Sequence, residues 1–334
     1  MNTLFSPWAL IVCIMMSGCE AGSRYNETVI PTFNFEKTIE FRQKLSDYGL
    51  FAGELANLQP AEGVHVLELS SVLFTDFAHK LRTAKLPENT QITLEGSENL
   101  VFPNGTILTK TFYYINDEQN PHLGKNIIET RLLIKNDDKW NAATYVWNDA
   151  QNDASLEESG LRKSIAWQDH TGEKLGTSYA VPSSNDCLTC HQHNNRVVPL
   201  GPTVRNLNRQ VMQDNQSSNQ LHSLQSMGAL YSFAIDEQVR MVDYNDTTAS
   251  LENRARAYLA LNCAHCHQPA GWEEATERQF DFRYATSLRR SGILYSEDKI
   301  TRALQSGDMP LTGTTMLDHD GMDIVIEYLS ELSR

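Results

Sequence analysis

The sequence predicts a multidomain α+β protein, in which an N-terminal β-rich domain, sandwich-like or barrel-like, precedes a mostly α-helical region. Two patterns predict this order. Residues 61–180 carry short runs of β-branched and aromatic residues separated by turn signals, which is typical of strands. Residues 246–334 instead repeat apolar side chains at helical spacing, so that Leu251, Ala255 and Tyr258 fall on one helix face.

Residues 1–18 predict a lipoprotein signal peptide. The apolar run from Trp8 to Met16 is too short to span a bilayer and has the length of a signal-sequence core. It leads into Ser17-Gly-Cys19, which resembles a bacterial lipobox, so we expect Cys19 to carry the lipid. Glu20 stands where an aspartate usually retains lipoproteins in the inner membrane. We therefore expect export and lipid anchoring at the outer membrane, facing the periplasm; an ordinary cleaved signal is the alternative.

Residues 19–60 predict a linker or N-terminal arm ahead of the β-rich domain. In that domain, the turn Asn104-Gly105 comes before an alternating strand and predicts a hairpin. A second hairpin is predicted around Lys135–Lys139, which separates two further runs of strand character. We expect the aromatic residues of these strands to form the core of the domain.

Two five-residue motifs stand out in the second half of the chain, one in segment 181–245 and one in domain 246–334. Cys187-Leu-Thr-Cys190-His191 and Cys263-Ala-His-Cys266-His267 both read Cys-x-x-Cys-His, the attachment signature of c-type haem. Two thiols at this spacing can each form a thioether with the haem. The histidine that follows, His191 or His267, then binds the iron. We expect two covalently bound c-type haems.

Two other interpretations of these cysteines stay open, namely a structural zinc held by thiolates and a redox-active dithiol. Neither requires a histidine after both pairs, and the two pairs lie farther apart than zinc-ribbon ligands usually do. Of the six cysteines, Cys13 belongs to the signal and Cys19 to the lipid site, so none remains for a structural disulfide.

The formal net charge of −14 argues against nucleic acid as a partner, because an acidic surface repels phosphates. Such a surface would attract a basic redox partner, or it serves solubility alone.

Several stretches carry a family resemblance: Leu45–Phe51, Phe102–Phe112, Glu129–Leu133, Leu200–Pro202 and Leu259–Gly271. Through them, residues 40–330 resemble a family of exported bacterial dihaem c-type cytochromes, and residues 246–334 resemble a class I cytochrome c domain. The resemblance implies a class I cytochrome c fold at the C-terminus, two haems and electron transfer, but no substrate. The β-rich hairpins also resemble haem proteins of β fold whose iron has an open distal site.

The sixth iron ligands decide between electron transfer and catalysis, since an open iron binds small molecules. For the second haem, Met309 with Pro310 after it matches the position of the axial methionine of class I cytochromes, and Met316 is the alternative. For the first haem we favour Met227. The alternatives are Met212, His222, His170, a β-domain histidine (His65, His79, His122) or no protein ligand.

The predicted function is electron transfer by a dihaem lipoprotein. Its partners would be other redox proteins, such as a dehydrogenase, a reductase or another cytochrome, and the membrane that holds the lipid anchor. The alternative is a dihaem enzyme, peroxidase-like or acting on nitrogen compounds, whose first iron is open. A docking role for the β-rich domain is compatible with the first interpretation.

Overall fold

The fold is built on a six-stranded antiparallel sheet. The computed structural model describes residues 38–213, 215–235, 239–271 and 280–333, so the predicted signal peptide and Cys19 lie outside the described residues. The strands of this sheet are β1 (Val64–Val66), β2 (His79–Lys85), β5 (Ile107–Ile115), β6 (Lys125–Asn136), β7 (Lys139–Trp147) and β8 (Ala154–Glu157). They lie side by side in the order β1-β2-β5-β6-β7-β8.

Four two-stranded hairpins and six α-helices complete the described part of the chain. The hairpins are β3 (Thr93–Glu95) with β4 (Asn99–Val101), β9 (Leu161–Gln168) with β10 (Lys174–Val181), β11 (Gln192–His193) with β12 (Arg196–Val197), and β13 (Gln210–Gln213) with β14 (Gln216–Asn219). The helices are α1 (Ser184–His191), α2 (Val204–Leu207), α3 (Gln220–Ser226), α4 (Leu251–Asn262), α5 (Glu297–Gln305) and α6 (His319–Leu332).

One of the two predicted hairpins is confirmed. Strands β6 and β7 are joined by Asp137 and Asp138, which have φ angles of 48° and 57°, as a two-residue hairpin turn of this hand requires. The hairpin predicted at Asn104-Gly105 is wrong. The turn forms, but the Gly105 N–H donates to the Lys135 carbonyl at 2.7 Å, and β5 pairs with β2 and β6 rather than with the strand before the turn.

The N-terminal arm covers one face of the sheet. Leu45 and Leu50 are 1% exposed and pack against Tyr145 and Trp147 of β7. Threonines line the same face and pair across strands, as in the 2.7 Å contact between the hydroxyls of Thr83 and Thr109. Since buried hydroxyls need partners, this pairing lets threonine occupy the core.

Two hydrophobic clusters cover the opposite face at its two ends. At one end, Ala84 and Leu108 pack with residues of α2 and α3. At the other end, Phe112 and Tyr114 pack with Trp167 and Tyr179 of the β9–β10 hairpin. The first Cys-x-x-Cys-His motif lies on α1, which begins directly after that hairpin.

The predicted mostly α-helical haem-binding region with a class I cytochrome c fold is wrong. The structure is 29% strand and 25% helix, with sheets prevailing. In segment 181–245, the three helices have eight, four and seven residues and alternate with the hairpins β11–β12 and β13–β14. Farther on, residues 280–296 hold only 3-10 turns. The Asn- and Gln-rich residues of β13 and β14 offer few apolar side chains at helical spacing, and they pair as strands.

The two C-terminal helices that the periodicity predicted do form and pack together. Tyr258 of α4 and Tyr328 of α6 are 4% and 2% exposed within one hydrophobic cluster. Gly321 permits the close approach, since a Cβ atom there would lie 2.0 Å from Cε2 of Tyr258. Within the described residues, no helix has the length and apolar character needed to cross a membrane.

Candidate functional site

The first motif is held by a well-capped helix. The Ser183 hydroxyl accepts from the Asp186 N–H at 3.3 Å, and the Asp186 carboxylate accepts from the Ser183 N–H at 2.8 Å, which is a capping box. Cys187 and Cys190 follow on the same helix. Residues three apart on a helix lie on one face, so the two thiols can point in a common direction.

The imidazole of His191 is fixed in one orientation by the backbone of Val198. Its Nδ1 lies 2.7 Å from the Val198 carbonyl oxygen, and the Val198 N–H donates to the His191 carbonyl at 2.7 Å. Because a carbonyl can only accept, Nδ1 carries the proton and Nε2 has the free lone pair. This is the tautomer that a histidine needs to bind a metal through Nε2.

Burial keeps that imidazole neutral. It is the main cause that lowers the pKa of His191 to about 4, and the charges of Lys110 and Arg131 act in the same direction. At neutral pH the ring therefore offers a lone pair rather than a second proton, as metal binding requires.

The second motif lies in the turn that ends α4. The N–H groups of Cys266 and His267 donate to the Cys263 carbonyl at 3.1 and 2.9 Å, which closes a tight turn around the pair of thiols. The ring of His267 is buried beside Phe280 and Phe282, with ring centroids 5.6 and 5.3 Å away, and the two phenyl rings stack on each other at 4.9 Å. This aromatic pair covers one side of the imidazole and restricts its orientation.

The two motifs, distant in sequence, meet in the structure. The Asn194 N–H, three residues after His191, donates to the carbonyl of Ala270, three residues after His267, at 3.2 Å. Burial raises the pKa of the Cys266 thiol, and the charge of a Cys190 thiolate raises it further, as expected of nearby groups. All four cysteines are free thiols, so the pairs are available for covalent attachment.

His265, a spacer residue of the second motif, lies at this junction. Its side chain is partly buried, and burial lowers its pKa to about 4. The charges of His267 and Lys110 lower the pKa of His265 further, and the charge of His265 in turn contributes to the low pKa of His191. Nothing in the sequence signals this position, because spacer residues of such motifs vary in type.

The β-sheet contributes directly to the surroundings of the first motif. The Thr144 hydroxyl of β7 lies 3.9 Å from the sulfur of Cys187. Burial raises the pKa of Cys187, while the nearby charge of Arg131 on β6 opposes it. Sequence reasoning missed these sheet residues, since their proximity arises from tertiary packing alone.

The methionines expected as sixth ligands differ in their surroundings. Met309 is partly buried against the same hydrophobic cluster as Cys263, and its N–H donates to the Ala303 carbonyl at 3.1 Å. Met316 instead packs in the cluster of Phe112 and Tyr179 on the sheet. Of the two, Met309 therefore lies on the side of the second motif.

Met227 receives no such support as ligand of the first haem. It caps the C-terminus of α3, and its side chain is 49% exposed, whereas an iron ligand is normally enclosed in the haem pocket. The assignment stays a prediction. In the part of the chain that the structure describes, no three or more His, Cys, Asp and Glu side chains gather into a metal-binding group.

A scan against protein-family models and searches of curated proteins and of solved structures found no match to the chain.

Proposed function

We propose that the chain is a dihaem c-type cytochrome that carries electrons between redox proteins on the periplasmic side of a membrane, to which a lipid on Cys19 anchors it. The observation that carries this proposal is the meeting of the two Cys-x-x-Cys-His motifs through the hydrogen bond between Asn194 and Ala270. Electron transfer depends on orbital overlap, which decays steeply with distance, so two redox groups serve as a relay only when they are held close together.

The residues of both motifs fit covalently attached haem. Cys187 with Cys190, and Cys263 with Cys266, supply free thiols at the attachment spacing. His191 has its Nδ1 engaged by a carbonyl, which leaves Nε2 as a ligand. When bound, haem supplies reversible one-electron chemistry at its iron.

The roles of the protein groups follow from their positions. The Val198 backbone orients the imidazole of His191, and the stacked pair of Phe280 and Phe282 packs beside that of His267. Met309 supplies a thioether on the side of Cys263. A thioether and an imidazole together favour a higher reduction potential than two imidazoles do.

The test is a titration of the dithionite-reduced protein with carbon monoxide after haem maturation, with the haem content counted in the same sample. We expect two haems per chain and no carbon monoxide binding, which is the result that an electron carrier with two protein ligands on each iron would give. Binding of one carbon monoxide per wild-type chain would contradict the proposed electron carrier and would indicate an enzyme with an open iron. The absence of haem would overturn the proposal and would favour the alternative that the cysteines bind zinc.

A matched pair of variants assigns the second sixth ligand. Met309→Leu keeps the volume of the side chain but removes its sulfur, so one carbon monoxide should bind per chain. Met316→Leu, the control, should bind none. The reverse result would move the ligand to Met316.

A further inference from the structure

We propose that Lys80, Arg82 and Lys110, on the face of the six-stranded sheet that meets the first motif, bind the propionate carboxylates of the haem attached there. This proposal rests on the proposed function and adds to it the residues that hold the acidic edge of the tetrapyrrole. Its argument begins with the register of the strands.

Three cationic side chains and one threonine form a row across the sheet. Arg82 lies opposite Lys110, Lys110 opposite Arg131, and Arg131 opposite Thr144. Directly opposed residues of antiparallel strands share one face, so this cationic row points to a single side. Lys80 lies two residues before Arg82 on β2 and therefore faces the same way.

The cationic row ends at the first attachment cysteine. Thr144, its last member, places its hydroxyl 3.9 Å from the sulfur of Cys187. The charges of Lys110 and Arg131 are also close enough to contribute to the low pKa of His191. A ligand attached through Cys187 would thus lie against this face of the sheet.

The positive charges of the row exceed the carboxylates that face them. Arg131 is paired with Glu129, with Nε 3.0 Å from Oε2. Within the described residues, Lys80, Arg82 and Lys110 have no ion-pair partner. The Lys110 ammonium instead lies 5.0 Å from the centre of the Phe112 ring. Such an excess is unusual in a chain whose formal net charge is −14.

The three cationic residues are partly buried. Burial, and then the charges of Arg82 and Arg131, lower the pKa of Lys80 to about 7 against the opposing effect of Asp76 and Asp318. Burial lowers the pKa of Arg82 to about 10. Burial and the neighbouring cations also hold the pKa of Lys110 well below its ordinary value. Partly buried like charges held close together cost free energy unless anions accompany them.

The chemistry of the ligand follows from this charge. The row lies between the cluster of Ala84 and Leu108 and that of Phe112 and Tyr114 on the same face of the sheet, and both clusters are already covered by other elements. The surface left between them is cationic, which suits the carboxylates of a ligand. Haem has two propionates, and lysine and arginine are their natural partners in charge-assisted hydrogen bonds.

The experiment uses the holoprotein and resonance Raman spectroscopy of the propionate-bending bands, which report hydrogen bonds to the carboxylates. Lys110→Met removes the charge at similar length, and we expect the band of one haem to shift while both haems remain attached. Arg82→Met should shift it as well, which keeps the test valid if one variant fails to fold. Lys174→Met, at an exposed position of β10, is the control and should leave the spectrum unchanged.

The outcomes separate this proposal from the proposed function. Two haems per chain with unchanged propionate bands in both variants would overturn the proposal and leave the dihaem protein intact. A wild-type chain without haem would overturn the proposed function itself. If added nitrite or phosphate changes the wild-type spectrum and Lys110→Met abolishes that change, the row binds a small anion and the propionate assignment is wrong.

Discussion

Replacing Glu129 by alanine should lower the free energy of unfolding by about 3 kcal/mol, the lower end of the range for breaking a buried ion pair, because the Arg131 side chain is 26% exposed. Glu129 is 0% exposed and accepts from three donor atoms: Nε and Nη2 of Arg131 at 3.0 and 2.5 Å, and the Tyr179 hydroxyl at 2.6 Å. The substitution leaves the guanidinium of Arg131 beside Lys110 without its carboxylate. That uncompensated charge is the main cause of the expected loss.

Two further variants divide this loss into its parts. Tyr179→Phe removes only one hydrogen bond to a charged acceptor, so it should cost about 1.5–3 kcal/mol. Glu129→Gln keeps the shape and an acceptor for Tyr179 but removes the charge, so its cost should lie between those of Tyr179→Phe and Glu129→Ala. Burial and the charge of Glu129 hold the pKa of Tyr179 well above its ordinary value, so its hydroxyl stays a donor at neutral pH.

The assay is urea unfolding of the holoprotein followed by circular dichroism, with the dependence of the unfolding free energy on urea compared between variants. An unchanged slope shows that the midpoint reports stability alone. If Glu129→Ala costs no more than Tyr179→Phe, the ion pair with Arg131 contributes nothing to stability, and the reasoning about the pair fails.

Two further substitutions test the packing of the C-terminal part by the same unfolding measurement. Gly321→Ala should cost about 1–3 kcal/mol or more, since its Cβ would lie 2.0 Å from Cε2 of Tyr258, whereas Ser330→Ala on the exposed face of α6 should stay within about 0.5 kcal/mol of wild type. A Gly321→Ala protein of wild-type stability would contradict the close contact of α4 with α6. Asp76→Ala should cost about 2–4 kcal/mol, because the buried carboxylate of Asp76 accepts from the N–H and hydroxyl of Thr315 at 2.7 and 2.8 Å. A loss under about 1 kcal/mol would show that the hydrogen bonds between Asp76 and Thr315 contribute little to the stability of the fold.

Sequence patterns correctly predicted the elements that depend on residues close together in the chain. Alternating strands around Asp137-Asp138 gave the β6–β7 hairpin, and apolar spacing gave α4 and α6, because in both cases the pattern coincides with the face that is buried. The spacing of the two motifs identified the candidate ligands in the same way. These features depend on neighbours within a few residues, which a sequence displays directly.

The predictions that were wrong concern elements whose structure depends on tertiary contacts. Gly105 makes its turn, yet β5 pairs with β2, because cross-strand partners are not encoded in the turn itself. Strands β13 and β14 pair with each other although their residues show no alternation of apolar and polar side chains. The cationic row could not be predicted from the sequence for the same reason, since Arg82, Lys110 and Arg131 become neighbours only through strand register.

The contact between the two motifs shows how local turn chemistry reaches the site. Asn194 and Asn195 have φ angles of 49° and 55° and form the two-residue turn of the β11–β12 hairpin, a conformation that asparagine tolerates better than most residues. The same hairpin places Val198 against His191 and presents the Asn194 N–H to Ala270. One short turn thus both orients the imidazole of His191 and joins its motif to the second. The two asparagines therefore serve the contact between the motifs as well as the turn of the hairpin.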